Sequence, residues 1–141
     1  MGEPIPGKDG KKIFAVGQTR RGELSRLDPA TGKLEGFLGG ISAEAVSFSK
    51  DGRFVAYVSY PEGVLWKASR DGSDPLQLST PDMYAMMPRW SPDGREIMFE
   101  NLAEKGPIKS YLVSSEGGNL RRLLPEDNRQ ELDSIWSPDA R

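Results

Sequence analysis

The sequence contains neither histidine nor cysteine. Without histidine it lacks the most common general base, the usual activator of serine and cysteine nucleophiles, and the most common zinc ligand. Without cysteine it forms no disulfide and no thiolate metal site, and it suits a reducing or an oxidising compartment equally. We therefore predict a chain with no catalytic residue, no metal and no cofactor, which is not an enzyme by itself.

Long apolar runs and blocks of like charge are also absent. No window approaches the length of about 18 apolar residues that spans a membrane, and the Met-Gly-Glu-Pro start does not have the pattern of a signal peptide. The 19 basic and 21 acidic residues leave a formal charge of -2. Arg20-Arg21, Arg121-Arg122 and Arg129 lack the interleaved aromatic residues of a nucleic-acid groove. We expect neither membrane nor nucleic-acid binding by this chain.

The main pattern in the sequence is an internal repeat. An Asp-Gly pair, or Asp-Ala in the last copy, recurs at Asp9, Asp51, Asp93 and Asp139, with spacings of 42, 42 and 46 residues. Such a period, in which turn residues separate short apolar runs, is typical of the four-stranded blades of a propeller. Asp-Gly between two strand-like runs is a hairpin signal, so we interpret these aspartates as residues that cap their own turns rather than as metal or acid-base carboxylates.

Four strand-like runs in each period predict one four-stranded antiparallel blade. The blades are expected over residues 1–43, 44–86 and 87–132, and residues 133–141 supply one extra first strand. The predicted fold class is therefore all-β, a propeller fragment of three blades and an extra strand. Aromatic residues at alternating strand positions are expected to pack between blades rather than to stack on sugars or bases. They are Phe48, Tyr57, Trp66, Trp90 and Trp136.

The segment from Pro88 to Phe99, Pro-Arg-Trp-Ser-Pro-Asp-Gly-Arg-Glu-Ile-Met-Phe, resembles the TolB-type, WD-like β-propeller repeat of bacteria. The resemblance covers essentially the whole chain. The segments 111–118 and 124–127 are similar to the C-terminal propeller of bacterial proteins that join such repeats to a winged-helix DNA-binding domain, which this chain does not contain. The resemblance implies a bacterial binding or scaffold module that lies outside the cytoplasm or is tethered to a regulator.

Three blades leave two open flanks, and apolar patches of that size are rare on monomers. Two copies related by a two-fold axis would form a ring of six blades, so we predict a homodimer. In the first unit, Pro4 and Pro6 stand where other units have Val46 and Phe48, which predicts a poor first strand. We expect the extra strand at Ile135 and Trp136 to complete the first blade of the partner and to close the ring.

The loops on one face of a propeller are the expected place for a protein or peptide ligand. The residues that we single out there are Tyr60, Glu62, Met83, Tyr84, Met86 and Arg129. Methionine and tyrosine are typical of adaptable partner surfaces. The alternative, that Met86 and Met87 only fill the channel of the ring, stays open.

Three functions remain open at this point. The first is a non-catalytic scaffold or protein-binding module that assembles with itself. The second is an excised or engineered half-propeller with no function beyond assembly, since the chain opens almost directly on one repeat and stops inside another. The third is the propeller of a serine peptidase, a class of enzyme in which such repeats also occur. Its catalytic domain would be absent here, because the sequence has no Gly-x-Ser-x-Gly motif.

Overall fold

The computed structural model describes residues 4–102 and 106–139. These residues form twelve strands and contain no helix, so none of the described residues belongs to a helix able to cross a membrane. The strands are β1 (Ile5–Pro6), β2 (Ile13–Phe14), β3 (Ser25–Leu27), β4 (Leu34–Gly36), β5 (Ala43–Phe48), β6 (Phe54–Ser59), β7 (Leu65–Ser69), β8 (Leu76–Gln77), β9 (Ala85–Trp90), β10 (Glu96–Asn101), β11 (Lys109–Ser114) and β12 (Arg121–Arg122).

Two four-stranded sheets account for most of the structure. Strands β5 to β8 form one sheet and β9 to β12 form another, and within each sheet consecutive strands are antiparallel neighbours. We call them the second and the third blade. The all-β propeller class and its antiparallel four-stranded blades are thereby confirmed.

The first unit differs from the expected third sheet, because its strands pair only as two separate hairpins, β1–β2 and β3–β4. Pro6 has no amide hydrogen for a ladder, and β1 pairs with β2 over two residues only, Ile5 with Phe14 and Pro6 with Ile13. The apolar side chains of this hairpin are largely exposed. The first unit therefore lacks the continuous sheet that would cover the second blade.

The largest core lies between the second and third blades. Because strand side chains alternate, Ala56 and Val58 of β6 face the third blade, whereas Val55 and Tyr57 face the first unit. Leu65 joins the core between the two blades and is fully buried. A smaller cluster covers part of the opposite face of the second blade. The residues that the first unit contributes to it lie just before β3 (Leu24) and just after β4 (Phe37, Leu38 and Ile41).

The aspartates of the repeat cap their turns, as expected. Asp51 Oδ1 accepts hydrogen bonds from Ser49 Oγ (2.7 Å) and Arg53 N (3.1 Å). Asp93 repeats this with Ser91 Oγ and Arg95 N. These bonds hold the pKa of the Asp51 carboxyl at about 2, against its ordinary value of 3.8, with the Ser49 bond as the largest cause.

Leu65→Ala tests the core between the blades. Removal of this fully buried side chain should lower the free energy of unfolding by about 2 to 5 kcal/mol, because it loses apolar burial and leaves a cavity. Urea denaturation followed by circular dichroism measures the change. The control Leu34→Ala alters a side chain that is 70% exposed and should change stability by less than about 0.5 kcal/mol. Equal effects of the two changes would contradict this packing.

Asp51→Asn tests the turn. Since the pKa of Asp51 is lower in the folded chain, its charge stabilises the fold above pH 3.8, and that contribution is lost as the pH falls towards 2. Asparagine does not titrate, so the variant should lose less stability than the wild type between pH 4 and 2. Denaturation curves over this range measure the difference. Parallel pH profiles for the two chains would show that Asp51 is not coupled to folding.

Candidate functional site

The loop after β6 and the start of β9 bring three of the predicted ligand residues together. The loop is anchored at Tyr60, whose amide donates to the Ser42 carbonyl (3.0 Å) and whose carbonyl accepts from Ser42 Oγ (2.6 Å). Gly63 has a φ of +67°, and a Cβ there would lie 2.5 Å from the ring of Tyr84. The close contact between the loop and Tyr84 therefore requires glycine.

We call Glu44, Tyr60, Glu62 and Tyr84 the rim patch. Tyr84 Oη donates to Glu44 Oε1 at 3.0 Å. The pKa of Tyr84 is raised, first by partial burial, then by this hydrogen bond and by the negative charge of Glu44 and Glu62. The phenol thus stays protonated at neutral pH, where it is a hydrogen-bond donor and not a base. Two carboxylates beside two phenol rings suit a basic or hydrogen-bonding ligand.

A groove of about 530 Å³ adjoins the rim patch on the side of the second blade that faces the first unit. Aromatic side chains and charged groups of both signs line it. They include Arg20, Arg21, Tyr57, Tyr60, Glu62 and Trp66. The groove lies on the face that the split first sheet leaves partly uncovered.

The other three predicted ligand residues lie outside the rim patch. Met83 was expected on the rim, but it is only 8% exposed and its side chain packs in the core between the blades. Met86 is half-buried in β9 opposite Glu100. Arg129 lies after β12, where it forms an exposed ion pair with Asp127 (2.7 Å). Methionine suits either a core or a rim, so its residue type did not separate the two environments.

The expected ring-closing residues lie on the third blade. Trp136 is half-buried, and its Nε1 donates to the Arg89 carbonyl at 3.1 Å. Ile135 is 73% exposed. The structure assigns no strand between β12 and residue 139, and no strand of the described chain lies beside these two residues to pair with them. An extended segment without a partner strand has no ladder that would define it as a strand.

A buried ion pair near the same segment was missed by the sequence analysis. Lys109 Nζ lies 2.9 Å from Glu131 Oε1, and the two side chains are 9% and 10% exposed. The strand register makes Lys109 equivalent to Val64. Glu131 is equivalent to Ala85, because the amides of both residues donate to a carbonyl at the same place in their sheets. Charged residues at positions that are apolar in the preceding unit were the signal that could have found this pair.

No arrangement in the described ranges has the form of a metal site, because no three acidic side chains converge there. The rim patch and the groove contain hydrogen-bonding and aromatic groups, which suit ligand binding.

Comparisons with known proteins add the following. No protein-family model matches the chain. The uncharacterised peptidase YuxL of Bacillus subtilis is 31% identical over 112 residues, which are 71% of this chain and 16% of the peptidase. The TolB structure from Agrobacterium tumefaciens matches with a TM-score of 0.63 and 22% identity over 84% of this chain and 47% of that protein. TolB from Acinetobacter baumannii matches with the same score and identity over 97% of this chain and 35% of that protein.

The chain therefore spans less than half the length of each of these three proteins. At 22% identity the two TolB structures show the fold, and they agree with the repeat at Pro88 to Phe99 and with the antiparallel blades. The chain has the β-propeller fold.

Proposed function

We propose that this chain is a non-catalytic β-propeller module that works by assembly and protein binding. In this proposal two copies form a homodimer, in which each copy completes the first unit of the other, so that the open face of each second blade is covered. The rim patch stays accessible and binds a protein or peptide partner. The proposal rests on one observation, the uncovered apolar face of the second blade.

That face differs from the equivalent face of the third blade. Phe48 lies opposite Val55 in the second blade, and Trp90 lies opposite Ile97 at the equivalent place in the third. Trp90 is 9% exposed because the second blade covers it, whereas Phe48 is 45% exposed. Val46, on the same face as Phe48, is also exposed. Burial of this surface by a second copy would be favourable by about 25 cal/mol for each Å² of apolar area.

A two-fold arrangement suits this face. In an isologous dimer the same patch of each copy meets the other copy, so the open flanks of both chains are covered at once. Exposed apolar residues of the β1–β2 hairpin add to the surface that assembly can bury. They are Ile5, Ile13, Phe14 and Val16.

The rim patch supplies the binding part of the proposal. Its carboxylates, Glu44 and Glu62, lie beside the rings of Tyr60 and Tyr84, and Gly63 fixes the distance between the loop and Tyr84. Such a surface offers negative charge, aromatic faces and a phenol donor to a basic peptide segment.

A second candidate is the propeller of a peptidase whose catalytic domain lies outside this chain. The 31% identity to YuxL favours it. In that case the open face of the second blade would be covered by further blades of the same long protein. The chain would then have no reason to form a specific homodimer.

Light scattering across a dilution series separates these two functions. The wild type should show a stable mass of twice 15.6 kDa. Phe48→Glu should shift it to the monomer, because a charge on the face that assembly covers would be desolvated without a partner. The control Leu120→Glu changes a residue that is similarly exposed and lies in the turn before β12. This control should remain dimeric.

Two results would contradict the proposal. A wild-type chain that is monomeric at every concentration would exclude self-assembly and favour the peptidase segment. A Phe48→Glu variant as dimeric as the wild type, with an unchanged circular dichroism spectrum, would show that the interface lies elsewhere.

A further inference from the structure

Residues 131–136, which we call the closing segment, occupy the place of a first strand on the third blade. At one end, the Glu131 amide donates to the Ile108 carbonyl (2.9 Å), as the Ala85 amide at the start of β9 donates to the Gly63 carbonyl (2.7 Å). Ile108 and Gly63 are equivalent, because Tyr111 and Trp66 lie opposite Phe99 and Tyr57 in their sheets. The closing segment thus begins on the third blade as β9 begins on the second.

The other end of the closing segment repeats the second anchor. Trp136 Nε1 donates to the Arg89 carbonyl (3.1 Å), and Trp90 Nε1 donates to the Ser47 carbonyl (3.1 Å). Ser47 and Arg89 are each the last residue but one of the first strand of their blade. The two indole hydrogen bonds are therefore equivalent. The closing segment is therefore docked as the first strand of a next blade. None of the described strands lies beside it as the second strand of that blade, the place that β10 has beside β9.

The first unit has the opposite deficit. Its second strand, β2, pairs with a first strand that contains Pro6 and contributes two residues. The hairpin leaves Ile13 and Phe14 largely exposed. Among the described residues, the third blade thus holds a well-anchored first strand without a second, and the first unit holds a second strand with a poor first.

We propose that the closing segment of one copy pairs with β2 of a second copy and displaces β1 there. This inference rests on the proposed homodimer and specifies how its ring is closed. The register of the complete blades, with Phe48 opposite Val55 and Trp90 opposite Ile97, sets Trp136 opposite Ile13 of the second copy. Ile135 then lies opposite Phe14 of the second copy.

Lys109 is a positioning residue for this exchange. Its Nζ donates to the carbonyls of Asp127 (2.7 Å) and Arg129 and to Glu131 Oε1 (2.9 Å). Three acceptors of the chain that leads into the closing segment thus converge on one buried ammonium group. Glu131 Oε2 accepts in addition from the Ser110 amide at 2.9 Å. The path of the segment is fixed before a second copy arrives, which lowers the ordering cost of pairing.

The polar contacts also select this segment over other strands. The equivalent positions of the second blade and of β9 hold the apolar residues Val64, Leu65 and Ala85, all of them buried. An apolar strand docked on the third blade would leave the ammonium group of Lys109 buried without the carboxylate of Glu131, which is strongly unfavourable. The third blade therefore accepts the closing segment and rejects an apolar first strand such as β9 of another copy.

Mixed single-cysteine chains test the pairing, because the wild type has no cysteine. A chain with Ile135→Cys is mixed with a chain with Phe14→Cys and oxidised, and the products are separated without reduction. We expect a disulfide-linked heterodimer, since directly opposite residues bring their Cβ atoms to within about 5.5 Å. The control pair Ile135→Cys and Ala15→Cys shifts the register by one residue to the opposite face and should give little product.

Lys109→Met, introduced into the Ile135→Cys chain, tests the positioning role. It should abolish most of the cross-link and raise hydrogen exchange of amides 131–136, while the amides of β6 stay protected. The control Lys67→Met removes another largely buried lysine, which pairs with Glu116 across the second and third blades. It should leave the cross-link and the exchange of the closing segment as in the wild type.

The outcomes separate this inference from the proposed function. A wild-type dimer that gives no cross-link from the Ile135→Cys and Phe14→Cys pair overturns the strand exchange and leaves assembly intact. A monomeric wild type overturns the proposed function itself. A Lys109→Met chain that cross-links as fast as its parent, with unchanged exchange at residues 131–136, overturns the role of Lys109.

Discussion

Each blade of this chain depends on a neighbour on both of its faces. A four-stranded antiparallel sheet whose side chains are apolar on both faces is stable in water only when both faces are covered. The third blade covers one face of the second through a core that includes Leu65, Trp90 and Phe99. The other face has only the β3–β4 hairpin, so Phe48 remains exposed. The proposed assembly follows from this single imbalance.

The two faces of the third blade are covered through different chemistry. The core between the second and third blades is apolar, and it would accept any apolar strand of suitable volume. The closing segment is instead held by Lys109, Glu131 and Ser110, whose hydrogen bonds depend on direction and partner. Apolar burial supplies stability without specificity, whereas a buried ion pair supplies specificity at some cost in stability. This difference explains why a polar contact lies at the place where the ring would close.

Much of the fold could be predicted from the sequence. The repeated Asp-Gly turns located the hairpins, because their hydrogen bonds are local, and the strand runs of the second and third blades lie where the sequence indicated. The split of the first unit could not be read in the same way. Pro4 and Pro6 predicted a weak first strand, but the loss of pairing between β2 and β3 depends on long-range packing that local patterns do not contain.

The candidate site was predictable only in part, for a related reason. Tyr60, Glu62 and Tyr84 were placed together because loop positions follow from the repeat. Glu44 was missed, since its bond to Tyr84 spans forty positions of the chain. Met83 packs in the core between the two blades, and its residue type suits that environment as well as a rim. The Lys109–Glu131 pair replaces the apolar residues Val64 and Ala85 of the preceding unit, a difference that shows only when the equivalent positions of the two units are compared.

The most direct test of the account is hydrogen exchange of residues 43–48 as a function of protein concentration. If a second copy covers the open face of the second blade, exchange of these amides should slow as the chain becomes dimeric, while the amides of β10 keep the same protection throughout. Exchange at residues 43–48 that does not depend on concentration, in samples that contain the dimer, would contradict the central claim that assembly buries this face.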